Sequence, residues 1–242
     1  MPKNNYIITT FYEFADLPHY VELRPQIIKF CSDHGIKGTI LLASEGINST
    51  LVGTREGIDA FYAYVTSMPE FAKMEFKESF CDYMPFKKLK IRLKNEIVKL
   101  AQNNLNMDQR GELLDSQAWD DLLADPKTLL IDTRNDYEVV FGTFKDAINP
   151  KIRNFTDLPK WVEKNLKPED KERPIAMFCT GGIRCEKSTA YMVQAGYKHV
   201  YHLKGGILKY FEETKNSSGN WNGRCFVFDD RVAVDPELKP YA

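Results

Sequence analysis

A cysteine that ends an apolar run and precedes two glycines and an arginine has the composition of an activated nucleophile. In Phe178-Cys179-Thr180-Gly181-Gly182-Ile183-Arg184-Cys185, the apolar strand Pro174–Phe178 stops at Cys179, the glycines free the backbone, and a helix is expected to begin near Arg184. Loop amides and the positive end of that helix stabilise an anion at sulfur, which can bring a thiol from about 8.5 down towards about 4 to 7. The competing reading is a buried strand-end cysteine acting as a small apolar residue. The Gly-Gly-Ile-Arg continuation favours the anion cradle, with Thr180, Gly181, Gly182 and Ile183 as its loop. Arg184 is assigned two tasks, orienting the loop and attracting an anionic substrate. Cys185 reads as a packed small residue on the emerging helix, the other possibility being a thiol that resolves an oxidised Cys179 as a disulfide.

Loop length separates two chemistries. Cysteine-based phosphatases follow the spacing C-x-x-x-x-x-R, and the larger ring of amides encloses a whole phosphate. In this chain the arginine is one residue closer, at C-x-x-x-x-R. The tighter loop suits a smaller group on sulfur, such as a persulfide or another covalent adduct, and phosphatase chemistry ranks low. Upstream, Thr128–Arg134 reads as a buried strand ending in charge, and Asp132, Arg134 and Glu138 are expected to form an ion-pair and turn network that supports the loop. Downstream, Val200–Ile207 gives a strand, a glycine pair and a further helix.

This order of strand, cysteine loop and strand-Gly-Gly resembles the rhodanese domain over residues 113–215. The fold is specific and the activity is not. Four further stretches narrow the resemblance: Phe86–Lys94 with Glu96-Ile97-Val98, Asp136-Tyr137-Glu138, Gly142-Thr143-Phe144-Lys145, and Cys225-Phe226-Val227-Phe228-Asp229. Together with Cys179–Lys187 they are similar to the tRNA uridine hydroxylases of the TrhO type over nearly the whole chain. That resemblance implies oxygen-dependent conversion of the wobble uridine of certain tRNAs to 5-hydroxyuridine, with Cys179 essential, dioxygen as co-substrate and the tRNA anticodon region as partner. General rhodaneses often carry Gly-His-Ile where this chain has Gly142-Thr143-Phe144, a departure shared with the hydroxylases. Longer relatives carry a cysteine-rich tail that has no counterpart in this sequence.

Two functions of other classes compete. A sulfurtransferase would carry a persulfide on Cys179 and pass it to a thiol or a tRNA base. A non-enzymatic module would use the rhodanese domain only as a docking surface, a reading the presence of Cys179 disfavours. No flavin, haem or iron motif is recognisable, so no resident cofactor is expected.

The chain of 242 residues, 43% hydrophobic, is long enough for two cores. Its five cysteines, Cys31, Cys81, Cys179, Cys185 and Cys225, are odd in number and form neither a secreted disulfide framework nor a paired C-x-x-C zinc site. His19, His34, His199 and His202 lack ligand-like spacing, so no metal is expected. Residues Met1–Tyr6 lack a basic-then-apolar signal and no apolar run reaches the roughly 18 residues needed to span a bilayer. A reduced, cytoplasmic protein without membrane attachment is expected.

Four segments follow: residues 1–100, a linker at 101–112, 113–215, and a tail at 216–242. The first reads as strand Tyr6–Phe14, helix Pro18–His34, strand Ile36–Ala43, a turn at Ser44–Asn48, strand Ser49–Val52, a helix from Thr54 to Ser67 with Thr54 as N-cap, and strand-like residues at Met74–Phe80. That β-α-β-β-α-β order is the ferredoxin-like plan, close to acylphosphatase-like domains. The fold class is therefore an α+β ferredoxin-like domain followed by a rhodanese-like α/β domain with a parallel sheet. The linker is polar, with Gln102, Asn103, Asn104, Asn106, Asp108 and Gln109. The tail, Trp221–Asp229, reads as one strand packing back on the body.

The net charge of −1 conceals a candidate RNA surface. In Lys88-Leu89-Lys90-Ile91-Arg92-Leu93-Lys94, alternation places Leu and Ile on one strand face and Lys88, Lys90, Arg92 and Lys94 on the other. Such a face can meet phosphates, or can serve only to keep a sheet edge from aggregating. The resemblance favours RNA. Tyr62, Tyr64, Phe80, Tyr83 and Phe86 are candidates for stacking on unpaired bases, most of them expected in the core.

Overall fold

The computed structural model describes residues 5–102 and 104–240, so Asn103 of the expected linker and the outermost residues of both ends lie outside the described residues. The chain divides into two compact units. One runs to Val98 and includes Phe228–Arg231; the other comprises Lys99–Val227 and continues from Val232.

The first unit follows the ferredoxin-like order. Strand β1 (Tyr6–Phe14), helix α1 (Tyr20–Asp33), strands β2 (Lys37–Ala43) and β3 (Gly46–Gly53), helix α2 (Arg55–Thr66) and strands β4 (Lys77–Cys81) and β5 (Leu89–Leu93) form one sheet in the order β4-β1-β3-β2-β5. Thr54 caps α2, its hydroxyl accepting the Gly57 N–H at 3.2 Å. The two helices cover one sheet face with Phe11, Leu17, Ile27, Ile40, Phe61 and Phe71, all fully buried. Each such side chain contributes roughly 1.5–3 kcal/mol by leaving water.

The expected turn at Ser44–Asn48 is shorter than its composition implies. Pairing of Ala43 with Gly46 starts β3 at Gly46, leaving Ser44-Glu45 as the turn. Gly46 looks like turn chemistry, yet it sits in the sheet opposite Phe14. Strand β4 likewise begins at Lys77 rather than Met74.

The second unit is built on a parallel sheet, β6-β10-β9-β7, from β6 (Glu112–Leu114), β7 (Leu129–Asp132), β9 (Pro174–Phe178) and β10 (His199–Leu203). In β9 Ile175, Ala176, Met177 and Phe178 are all buried, as a central parallel strand requires. Helices α3 (Ser116–Leu123), α4 (Asp136–Val139), α5 (Leu158–Asn165), α6 (Ile183–Gln194) and α7 (Gly206–Thr214) connect the strands. Strand β8 (Gly142–Phe144) pairs antiparallel with β11 (Trp221–Gly223), setting Phe144 opposite Trp221. Phe144 packs edge-on against Trp119, Phe178, Tyr210 and Trp221.

The tail is more than the single strand expected from its sequence. After β11 the chain forms a hairpin of β12 (Cys225–Phe226) and β13 (Ala233–Val234). Its tip, Phe228–Arg231, belongs to the first unit. There Arg231 is buried, bonded twice to Asp229 (2.7 and 2.6 Å) and once to Ser79 Oγ (2.7 Å).

Candidate active site

The site grows from the end of β9. Past Phe178 the carbonyls of Cys179 and Thr180 accept the first amides of α7, from Ile207 (3.0 Å) and Leu208 (3.1 Å). With its carbonyls taken on that side, the loop turns N–H groups towards the sulfur. Gly182 donates to Cys179 Sγ at 3.1 Å, joined by the amides of Arg184 and Cys185 in the first turn of α6. Gly206 makes this approach possible. At φ +68, a Cβ there would lie 2.5 Å from the Cys179 carbonyl and 2.7 Å from the Gly182 nitrogen. The glycine pair after β10 therefore serves the cysteine loop as well as its own turn.

Electrostatics follow from burial and donors. Cys179 is 1% exposed, and burial alone raises a thiol. The Cys185 thiol, the Arg184 charge and the loop amides outweigh that and bring Cys179 down to about 6. Burial pushes Cys31 and Cys225 up to about 12 and also raises Cys81 and Cys185. Of the five cysteines, Cys179 alone is held as a thiolate near neutral pH.

Arg184 is committed to Glu138 rather than free for an anionic substrate. Its Nη1 and Nη2 reach the two Glu138 oxygens at 2.5 and 2.7 Å, and Nη2 also reaches Thr180 Oγ1 at 3.3 Å. Burial opposes the Glu138 charge, but Arg184 and the Asn135 amide (3.1 Å) hold its carboxyl below the usual range. The expected support network is thus two separate pairs. Asp132 and Arg134, both fully buried, form their own (2.9 and 2.6 Å), with Arg134 also donating to the Gly142 carbonyl and its guanidinium lying 5.3 Å from the Trp221 ring centre.

Sequence reasoning passed over three groups near the loop. Thr133 Oγ1 lies 3.7 Å from Cys185 Sγ. Cys225, brought in by β12, bonds to the Thr180 side chain. Tyr137, the neighbour of Glu138, points outward with its ring 49% exposed and edge-on to Phe226. A threonine after a charged strand end and a cysteine in a tail carry no local signal; only the fold brings them to the loop.

Lys88, Lys90, Arg92 and Lys94 belong to the first unit and are all exposed on or beside β5. Ile91 is buried beneath them and Leu89 partly so, but Leu93 is 38% exposed, so the alternation fails at the last apolar position, where the strand ends. Arg24 of α1 donates to the Ile91 carbonyl at 3.0 Å and adds an exposed cation beside the strand. Of the candidate stacking aromatics, Tyr62 stacks on Phe76, Tyr64 on Phe30, and Phe86 packs with Ile8 and Val52, whereas Phe80 and Tyr83 are exposed. Among the described residues no cluster of three His, Cys, Asp or Glu side chains could hold a metal, and no helix is long and apolar enough to cross a membrane.

Residues 6–97 match the UPF0176 acylphosphatase like domain and residues 115–213 the rhodanese-like domain. Fold and site thus define a rhodanese-domain protein with Cys179 in the loop that follows β9, preceded by an acylphosphatase-like unit. The tRNA uridine(34) hydroxylase of Wolbachia pipientis subsp. Culex pipiens (strain wPip) is 51% identical over 236 residues, covering 98% of this chain and 83% of that protein. Those of Anaplasma phagocytophilum and Agrobacterium fabrum are each 46% identical, over 97% and 96% of this chain and 85% and 74% of theirs. The chain belongs to the tRNA uridine(34) hydroxylase family.

Proposed function

We propose that this chain hydroxylates the wobble uridine of tRNA at carbon 5, with Cys179 as the nucleophile. The reaction class is carried by identities of 45% to 51% over nearly the whole chain to proteins named for that reaction. The role of Cys179 is supported by the loop that holds its sulfur as an anion.

Carbon 5 of uracil is a poor nucleophile. Addition of the Cys179 sulfur to carbon 6 forms a C–S bond, breaks the 5,6 double bond and leaves an enolate whose carbon 5 is electron-rich. Dioxygen, as co-substrate, delivers one oxygen atom to carbon 5. The other leaves as water, taking two electrons and two protons from a reductant. Loss of the carbon 5 proton then expels the sulfur and restores both the double bond and the thiolate. Because the sulfur is buried, the base must leave its anticodon stack to reach it, at a cost of a few kcal/mol, roughly. Lys88, Lys90, Arg92 and Lys94 would meet tRNA phosphates through the exposed face of β5.

The test is mass spectrometry of tRNA nucleosides from cells lacking the gene, complemented with the wild-type chain or with Cys179→Ser. 5-Hydroxyuridine and its derivatives are expected to return only with the wild type. Hydroxylation at the wild-type rate by Cys179→Ser would remove the cysteine from the reaction. A change confined to a thiolated nucleoside would transfer the chain to persulfide chemistry.

A further inference from the structure

The two faces of the sheet in the first unit are sorted by charge as well as by burial. Helices α1 and α2 cover the face that carries Phe11, Ile40, Leu51 and Ile91, and the strand carboxylates Glu13 and Glu78 fall on that same side. Glu78 bonds there to Arg55 and Tyr62 of α2. The strand register sets out the opposite face in rows that cross the sheet from β4 to β5. One row is Lys77, Thr10, Thr50, Thr39 and Lys90; the next holds Tyr12 on β1 in line with Arg92 on β5. Each of these residues keeps part of its surface, and Lys90 and Arg92 are exposed. Among the described residues of the strands, none on this face is acidic. Met84 and Phe86 close the neighbouring part of the face, over Ile8 and Val52, and the two rows lie next to it along β1 and β3.

Hydroxyls, cations and an aromatic ring without carboxylates suit an anionic ligand that can also stack. Lys77 Nζ lies 5.1 Å from the centre of the Tyr12 ring, and Phe14 stands edge-on to that ring at 6.2 Å. With neighbouring strands about 4.8 Å apart, the row from Lys77 to Lys90 is about 19 Å long. A face that merely stays soluble intersperses both signs of charge, and a face for duplex RNA needs cations but no ring. The ring selects an unpaired segment. We infer that this face holds the unpaired nucleotides of the tRNA anticodon loop: a base stacks on Tyr12, the threonine row meets riboses, and Lys77 and Lys90 meet phosphates at its two ends. The inference rests on tRNA being the substrate. It places base stacking on the open sheet face rather than on Tyr62, Tyr64 and Phe86, which pack within the unit.

The experiment titrates the full-length chain against a fluorescent anticodon stem-loop, and against a fully paired RNA duplex of equal length, by anisotropy, in the wild type, Y12A, Y12F, K77Q and T39E. Y12A should weaken stem-loop binding roughly ten-fold, spare the duplex and leave the slope of log K against log salt unchanged, because stacking releases no counterions. Y12F keeps the ring and should stay within about two-fold of the wild type. K77Q should lower the slope by about 0.7, the share of one phosphate on a single strand. T39E sets a carboxylate between Thr50 and Lys90 and should weaken binding by a factor that narrows as salt rises. Stem-loop affinity unchanged in Y12A overturns the inference, as does an equal loss in Y12A and Y12F or for both RNAs. Should Y12A fail to fold, K77Q and T39E carry the test, and wild-type affinity in both overturns it. Variants that alter only the sedimentation of the chain would make the face a protein contact and end the proposal. A wild type that binds neither RNA overturns the tRNA reading and this surface with it; a wild type that binds the stem-loop no better than Y12A does overturns this surface alone.

Discussion

Glu138 shows how a single side chain can stabilise the fold and restrain the chemistry together. It neutralises a guanidinium that would otherwise act undiluted on the Cys179 sulfur, and it pins that guanidinium under the loop with two hydrogen bonds. Glu138→Gln strands a buried cation, at a cost of about 3 kcal/mol in stability, which urea unfolding will register. The same change leaves Arg184 unopposed, so the pH midpoint for alkylation of Cys179, read by mass spectrometry of its peptide, should move down. A downward midpoint with lowered stability separates the two roles; an upward one would mean that Glu138 does not temper the Arg184 charge at the sulfur. In the wild type, the sulfur ionises near pH 6. The reactive form is the thiolate, so single-turnover hydroxylation should climb as pH rises through about 6 and level off above neutrality. A limb near the ordinary thiol value of about 8.5 would show that the cradle does not act on the sulfur.

At the level of elements, the cationic face of β5 makes the sharpest claim. Replacing Lys88, Lys90, Arg92 and Lys94 together with glutamine should weaken tRNA binding and flatten the dependence of log K on log salt by about 3. An unchanged slope in fluorescence anisotropy titrations would reduce the face to a guarded sheet edge. The same strand shows what a sequence makes legible. Alternation identified β5 and its exposed cations, and five consecutive apolar or small residues before Cys179 identified β9 to the residue, because a central parallel strand buries both faces. Thr54 announced its helix through its capping hydroxyl. What stayed hidden depended on contacts between distant residues. Arg184 looked available to a substrate until Glu138, far back in the chain, arrived to claim it. Thr133 and Cys225 join the loop only through the register of β7 beside β9 and the pairing of β12 with β13. Gly46 misled for the converse reason, a turn-forming residue placed within a sheet.

At the level of the whole molecule, two cores share one chain unevenly. All three tryptophans, Trp119, Trp161 and Trp221, fall in the second unit, so indole fluorescence reports on that unit alone. Arg231→Ala leaves the buried Asp229 without its cation and removes the bond to Ser79, a loss of about 3 kcal/mol charged to the first unit. In urea, the far-UV circular dichroism of this variant should gain an earlier phase while the fluorescence transition holds its midpoint. Coincident, equally shifted transitions would show that the units unfold as one. The bond from Arg231 to Ser79 spans 152 positions, and this carries a further consequence for synthesis. The first unit stays incomplete while Lys99–Val227 of the second is translated. Only when the hairpin tip emerges can Arg231 and Asp230 reach Ser79 and the Pro85 carbonyl. The first unit is thus sealed by residues made only after most of the second unit, and a nascent chain interrupted before Phe228 carries an acylphosphatase-like unit without that seal.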